Sequence, residues 1–271
     1  MSAQTIAVRK KLPPVVPDGA AETARSSAPV LDEEPNAVGR WFVAIAGRGH
    51  PVRTFLTGVV LSFLAIAGLS VLLGLLVTRV IVRDGSIAGA DERLVRVLSQ
   101  HHSPELTDAS LIGSIMAGGV VLPIVVGVCG LVAALFKQWR VAVFLIFALG
   151  LESGAYRTTT LLVHRDRPDV PRLENLPVNA SYPSGHTAAS IAVYCGLALL
   201  LTSRISSLAP RVVIWVVAVA IPLYVAFARM YRGMHHPLDV VGGVVIGIAA
   251  VAAMVLVSRA AGLAAAERDG S

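Results

Sequence analysis

The stretch ASYPSGHTAAS, residues 180–190, leads directly into IAVYCGLALLLT, residues 191–202. A histidine, several hydroxyls and a Pro-Ser-Gly turn therefore stand at the mouth of an apolar segment with the composition of a membrane span. Ser184 is placed to act as N-cap, with Gly185 and His186 in the first helical turn. The free N–H groups of such a turn and the positive end of the helix dipole form an anion site. Gly185 carries no side chain to block close approach of an anionic oxygen, and His186 is placed to give a proton to a leaving group.

Around this stretch the chain is of membrane type. Its 271 residues are 55% hydrophobic and 15% charged, where soluble domains carry about 25% charged residues. Six apolar blocks run over about 55–82, 111–136, 139–163, 187–203, 211–228 and 238–258, each near the roughly 17–25 residues that a crossing helix needs. The fold class expected is an all-α membrane protein, a bundle of six transmembrane helices with a disordered N-terminal tail. The boundaries expected are a disordered cytoplasmic tail over 1–52, the six-span domain over 53–260 and a short cytoplasmic tail over 261–271. Residues 1–52 hold too few large apolar residues to build a core. WFVAIAG, residues 41–47, reads either as a short interfacial piece or as linker, and no cleavable signal peptide is apparent. In segment 83–110, Leu94, Val95, Val97 and Leu98 mix with charge in a pattern compatible with a short surface helix, but a solvated connecting loop with an amphipathic turn is the favoured reading, and His101 and His102 read as surface residues.

The net charge of +6 does not point to nucleic acid, because the basic residues gather in the N-terminal tail and at span ends. Arg9, Lys10, Lys11, Arg25, Arg40, Arg48, Arg53, Lys137, Arg140, Arg204, Arg211, Arg259 and Arg268 all fall on one side if both termini are cytoplasmic. The other side receives 83–110, 164–186 and 229–237, which also contain arginines. Cations against the usual bias imply a functional reason. Cys129 and Cys195 lie inside apolar blocks and read as small buried hydrophobes, with no zinc-type spacing.

Three polar clusters meet on that second side: HRDRPDVPR (164–172), YPSGHT (182–187) and ARMYRGMHHPLD (228–239). In the third, His235 and Asp239 lie four residues apart, with Pro237 suited to a first helical turn. A carboxylate on one imidazole nitrogen fixes the tautomer and raises the nucleophilicity of the other. Arg229 can supply a charge-assisted contact to a phosphate. Arg165 and Arg172 read as anchors to lipid headgroups.

Together these residues resemble the signature of the type 2 phosphatidic acid phosphatase family, membrane lipid phosphatases related to vanadium haloperoxidases. That signature is Lys-x6-Arg-Pro, then Pro-Ser-Gly-His, then Ser-Arg-x5-His-x3-Asp. The second part is complete as Pro183-Ser184-Gly185-His186, and the third keeps Arg229, His235 and Asp239 at the family spacing. Thr160 stands where the family has its lysine, and Ala228 where it has its serine. Arg157, one turn before Thr160, is a candidate replacement for the lysine, with Arg165 the next.

The resemblance implies metal-independent hydrolysis of a lipid phosphomonoester or diphosphate through a phosphohistidine, with no cofactor. The candidate lipids are a polyprenyl diphosphate, phosphatidylglycerol phosphate and phosphatidate. It implies that His235 attacks phosphorus, that Asp239 orients it and that His186 protonates the leaving oxygen. Arg167, Arg229, Ser184 and Gly185 would hold the phosphate, with Arg157 in the lysine's place. The implied location is the plasma membrane with the site on the outer side. The partners implied are the lipid substrate and the bilayer. A phosphotransferase, a transporter and a catalytically weakened lipid-phosphate binder are the rival readings.

Overall fold

The computed structural model describes residues 28–269, and residues 1–27 of the expected tail lie outside them. The helices are α1 (Ala37–Ala46), α2 (Pro51–Arg79), α3 (Gly85–Gln100), α4 (Pro104–Met116), α5 (Val121–Leu135), α6 (Trp139–Leu162), α7 (Gly185–Ser190), α8 (Gly196–Thr202), α9 (Leu208–Tyr231) and α10 (Pro237–Asp269). A π-helical segment, Ile191–Cys195, joins α7 to α8 in one span, Gly185–Thr202. Among the described residues five helices are long and apolar enough to cross a membrane. Helices α4 and α5 make a sixth crossing if the pair, bent by 47°, is one span. Leu56, Val60 and Leu64 on α2 and Val212, Val213 and Val216 on α9 face outward. Such apolar outer faces suit lipid, and helices satisfy their own backbone there.

The bundle closes on small residues. Helix α10 packs against α2, α6 and α7. A Cβ on Gly243 would stand 2.5 Å from the Ser184 carbonyl oxygen, and one on Gly242 2.6 Å from the Tyr182 ring. Only glycine lets α10 approach the Pro183–His186 turn this closely, which is the small-residue packing expected between membrane helices. Phe144, Leu145, Ala148, Ile246, Ala250 and Met254 fill the centre.

The structure differs from the sequence reading at three places. Residues 28–52 are not a free tail: α1 lies across the bundle end, with Phe42 buried beside Val257 and Ala260, and Leu31 is fully buried. A few apolar residues suffice because they dock on a core that the spans already supply. Likewise α10 continues through Asp269, with Ala264 buried, where a tail was expected from 261. Segment 83–110 is helical, not a loop. Asp84 caps α3 through Ser86 N–H, and Ser103 caps α4 through Leu106 N–H.

Candidate active site

Three connections converge at one end of the bundle: α3, the loop 163–184 and the turn 232–236. The loop is held by Arg167 N–H to Val178 O at 2.8 Å and Ser181 N–H to Arg165 O at 3.0 Å. The turn is made by Gly233, at φ +68°, where a Cβ would stand 2.9 Å from Val170. Glycine fits both the left-handed backbone and the close contact.

His235 is buried beneath the loop. Its Nδ1 lies 2.7 Å from the Ser181 carbonyl oxygen and 3.8 Å from Asp239 Oδ2. A carbonyl only accepts, so Nδ1 carries the proton and Nε2 keeps its lone pair. The direct carboxylate–imidazole bond expected from the four-residue spacing is thus replaced by a backbone acceptor. Burial pushes the His235 pKa down to about 4, against the pull of Asp239, so the ring is neutral at ordinary pH.

Asp239 is itself fully buried and saturated. Its Oδ2 accepts Ser181 Oγ–H at 2.6 Å and His236 N–H at 2.8 Å, with His236 Nδ1 at 3.3 Å. Its Oδ1 pairs with Arg165. Arg165 is therefore a buried ion-pair partner and not a headgroup anchor, and it pairs equally with Asp91 on α3. The Asp239 carbonyl accepts Ser184 N–H at 2.9 Å, which ties the Pro183–His186 turn to the start of α10.

His186 opens the span Gly185–Thr202. The charged groups that act most on it are Arg229, His235, Glu174 and Arg167, so the two imidazoles and two arginines lie within electrostatic reach of one another. Ser184 is the N-cap residue, but its hydroxyl lies 3.0 Å from Thr187 Oγ1 and makes no capping bond. The first-turn N–H groups of Gly185, His186 and Thr187 have no intrahelical acceptor. Tyr156 of α6 covers Gly185, where a Cβ would come within 3.0 Å of the ring.

Arg229 is fully buried. Its Nη1 donates to Ser114 Oγ at 2.6 Å and to both Glu174 oxygens at 2.8 and 2.7 Å. Its Nε and Nη2 have no partner among the described residues, and a buried cation with unpaired donors is a strong anion receptor. Glu174 also accepts Arg232 Nε at 2.6 Å. Burial opposes ionisation of Glu174, but Arg229, Ser114 and Arg232 outweigh it and hold the carboxyl at about 2. Arg167 donates from Nε to Pro177 O at 2.8 Å, from Nη2 to Ala180 O at 3.0 Å and from Nη1 to Met234 O. It thereby pins the loop to the turn, and burial together with Arg229 lowers its pKa. Arg157 is exposed and forms no ion pair among the described residues, and Thr160 Oγ1 donates to the Arg157 carbonyl at 2.9 Å. Arg172 is exposed, with Nη1 3.4 Å from Leu176 O.

The structure thus brings together His186, His235, Asp239, Arg167, Arg229, Ser184 and Gly185, and leaves Arg157 at the surface. Sequence reasoning missed Asp91, Arg232, Glu174, Ser181 and the pairing of Arg165. It also missed His102, whose Nε2 lies 2.8 Å from Tyr231 O. Arg229–Glu174 and Arg165–Asp91 link residues 55 and 74 positions apart, and such distances leave no local signal. Among the described residues no group of three or more His, Cys, Asp or Glu side chains has the arrangement of a metal site. Below the pocket an apolar groove of 730 Å³ runs between the last three spans, bordered by Thr187, Ile191, Pro222, Val240, Val251 and Leu256.

The model of the PAP2 superfamily matches residues 139–262. Phosphatidylglycerophosphatase B of Bacillus subtilis (strain 168) is 24% identical over 181 residues, which are 66% of this chain and 88% of that protein. Undecaprenyl-diphosphatase of Sulfolobus acidocaldarius is 39% identical over 75 residues, 28% of this chain and 32% of that protein. The crystal structure of a transmembrane PAP2-type phosphatidylglycerolphosphate phosphatase from Bacillus subtilis superposes with a TM-score of 0.59 at 21% identity. It covers 76% of this chain and 94% of that one, and the two share a fold.

Proposed function

We propose that residues 139–262, which the PAP2 superfamily model matches, form a lipid phosphatase whose pocket hydrolyses a lipid phosphomonoester or diphosphate through a phosphohistidine at His235. The observation that carries the reading is the buried guanidinium of Arg229, with two nitrogens unpaired among the described residues, within electrostatic reach of His186 and His235. The tautomer of His235 leaves Nε2 as the nucleophile. As the Nε2–P bond forms, the bond to the leaving oxygen breaks and His186 gives its proton to that oxygen. His186 then takes a proton from water, whose oxygen attacks phosphorus and releases phosphate and free His235.

Arg229, the remaining donors of Arg167 and the first-turn N–H groups at Gly185 meet the charge on the transferred phosphoryl. Stabilisation of this kind is usually the largest catalytic contribution. The arginines supply the cationic charge that metal ions supply to other phosphoryl-transfer enzymes.

The apolar groove suits a lipid tail. It runs down α10 from Val240 to Leu256, and at 1.5 Å per residue these positions span about 24 Å, most of a bilayer's hydrocarbon core. That length accommodates a long acyl chain and part of a polyprenyl chain alike, and for a site on the outer face we place a polyprenyl diphosphate first among the three candidate lipids. The one relative acts by its name on phosphatidylglycerophosphate and the other on undecaprenyl diphosphate, which keeps both lipid classes in the comparison. With six crossings and the lysines and arginines at the α1 end, both termini are cytoplasmic and the pocket faces outward.

The test is release of inorganic phosphate by purified protein in detergent from polyprenyl diphosphate, phosphatidylglycerol phosphate and phosphatidate. We expect turnover on at least one, greatest on the polyprenyl diphosphate, and none from His235→Ala. Absence of turnover on all three, with binding retained, would leave a lipid-phosphate binder.

A further inference from the structure

We infer that Asp91, on the helix α3 that precedes the matched residues 139–262, is a positioning residue for the reaction, acting on the nucleophile through Arg165 and Asp239. This rests on the reading of His235 as nucleophile. Arg165 lies between two carboxylates, with Nη1 on Asp239 and Nη2 on Asp91. All three side chains are nearly closed to solvent, at 3%, 8% and 0% exposure for Asp91, Arg165 and Asp239. The second oxygen of Asp91, Oδ1, accepts Leu238 N–H at 3.0 Å, in the first turn of α10 and next to Asp239. Its neighbour Glu92 accepts Asp169 N–H at 3.0 Å and lies 3.0 Å from His236 Nε2. Helix α3 therefore grips Asp239 from both sides, through Arg165 on one oxygen and His236 on the other.

Charge balance gives this grip its consequence. Asp239 and Arg165 alone would sum to zero, and the field of Asp239 at His235 would be weakened to that of a dipole. With Asp91 the triad carries a net charge of −1. When Nε2 of His235 attacks phosphorus and the bond to the leaving oxygen breaks, positive charge builds on the imidazole. Nδ1 keeps its proton on the Ser181 carbonyl throughout, so no proton passes to Asp239. The developing charge is then stabilised by the net negative charge behind the ring, in a site where screening is weak. A pair buried this well does little for net stability when complete, but each member is costly to strand. Asp91 thus also prevents Arg165 from being half-satisfied.

The experiment compares wild type, Asp91→Asn, Asp91→Glu, Arg165→Lys and the double variant Asp91→Asn with Arg165→Lys, as full chains in detergent, with His235→Ala as the inactive reference. Kinetics on the best substrate of the panel are read beside melting temperature. Asparagine keeps one acceptor, for Leu238 N–H, and removes the charge together with the acceptor for Arg165. We expect Asp91→Asn to lower kcat by about tenfold or more, as losses of partners behind functional groups do, with KM within about twofold of wild type because the phosphate contacts are untouched. Asp91→Glu, which keeps the charge and moves it by one methylene, should fall between the two. The double variant should lose less than the product of the single losses, because both act through one ion pair.

A folded Asp91→Asn with wild-type kcat, beside a dead His235→Ala, would overturn the role of Asp91 and leave the reading of the site intact. If Asp91→Asn does not fold, Asp91→Glu decides in the same way: wild-type kcat overturns the inference, and reduced kcat at an unchanged melting temperature supports it. A KM rise with kcat unchanged would also overturn it. Inactivity of the wild type on the whole panel would remove the reading on which the inference stands.

Discussion

His235 Nδ1–H donates a hydrogen bond to the carbonyl of Ser181 at 2.7 Å, while the nearest oxygen of Asp239 stands 3.8 Å away. The tautomer that leaves Nε2 free is therefore set by backbone, and Asp239 acts as a charge held behind the ring by Arg165, Ser181 and His236. Substitutions that spare the loop 163–184 should keep the tautomer even when they weaken the field.

The first prediction concerns pH. Burial lowers the His235 pKa from its ordinary value to about 4. A lowered histidine pKa keeps the neutral, nucleophilic form present until pH falls to that value. The acidic limb of kcat/KM should lie near pH 4 and not near the usual 6.5 or so for histidine. A limb at the ordinary value would show that the ring is solvated in the working enzyme.

Asp239→Asn should cost more stability than activity assays alone reveal. It strands Arg165 against one carboxylate and weakens the bonds to Ser181 and His236. Removing one member of a buried pair costs roughly 3–5 kcal/mol, so the melting temperature should fall. Turnover of the folded fraction should drop on the order of 10²-fold or more by analogy with general acid–base partners. Unchanged turnover in a folded variant would make Asp239 structural only.

The division of roles along the chain shows which parts of the site are legible in the sequence. Pro183–His186 and Arg229–His235–Asp239 hold imidazole, guanidinium and carboxylate groups at short fixed spacings, so they stand out in the amino-acid sequence as candidates for the proposed chemistry. The long apolar spans are legible too, since twenty apolar residues leave few alternatives, whereas the 47° bend between α4 and α5 has no such signature. Asp91 is not legible, because α3 mixes Leu94, Val95, Val97 and Leu98 with charge and its partner lies 74 residues away. Ser181 as tautomer-setter cannot be read at all: a carbonyl acceptor has no side-chain signature. Helix α1 is hidden because its few apolar residues become a core only against Val257 and Ala260.

His186→Ala should discriminate between leaving groups. A diphosphate leaves as phosphate and needs little protonation, whereas a monoester leaves as an alkoxide. General acid help is worth roughly 10²–10⁴-fold where needed, so the loss should be larger on phosphatidate than on polyprenyl diphosphate. Equal losses on both would assign His186 to phosphate binding.

Arg157→Ala tests the place of the absent lysine. We expect a rise in KM with kcat little changed, as for a cation that meets the lipid phosphate at the surface before it enters the pocket. If the variant matches wild type, the role passes to Arg232, which shares Glu174 with Arg229. Arg165 is no longer available for it, being paired with two carboxylates.

The most direct test of the central claim is to trap the phosphorylated protein during turnover and map the modified residue. Wild type incubated with a phosphate-labelled lipid substrate and quenched in alkali should carry an alkali-stable, acid-labile label on His235. The label should be absent from His235→Ala, which should also have no turnover. Normal turnover of His235→Ala, or a label on any other residue, would contradict the account.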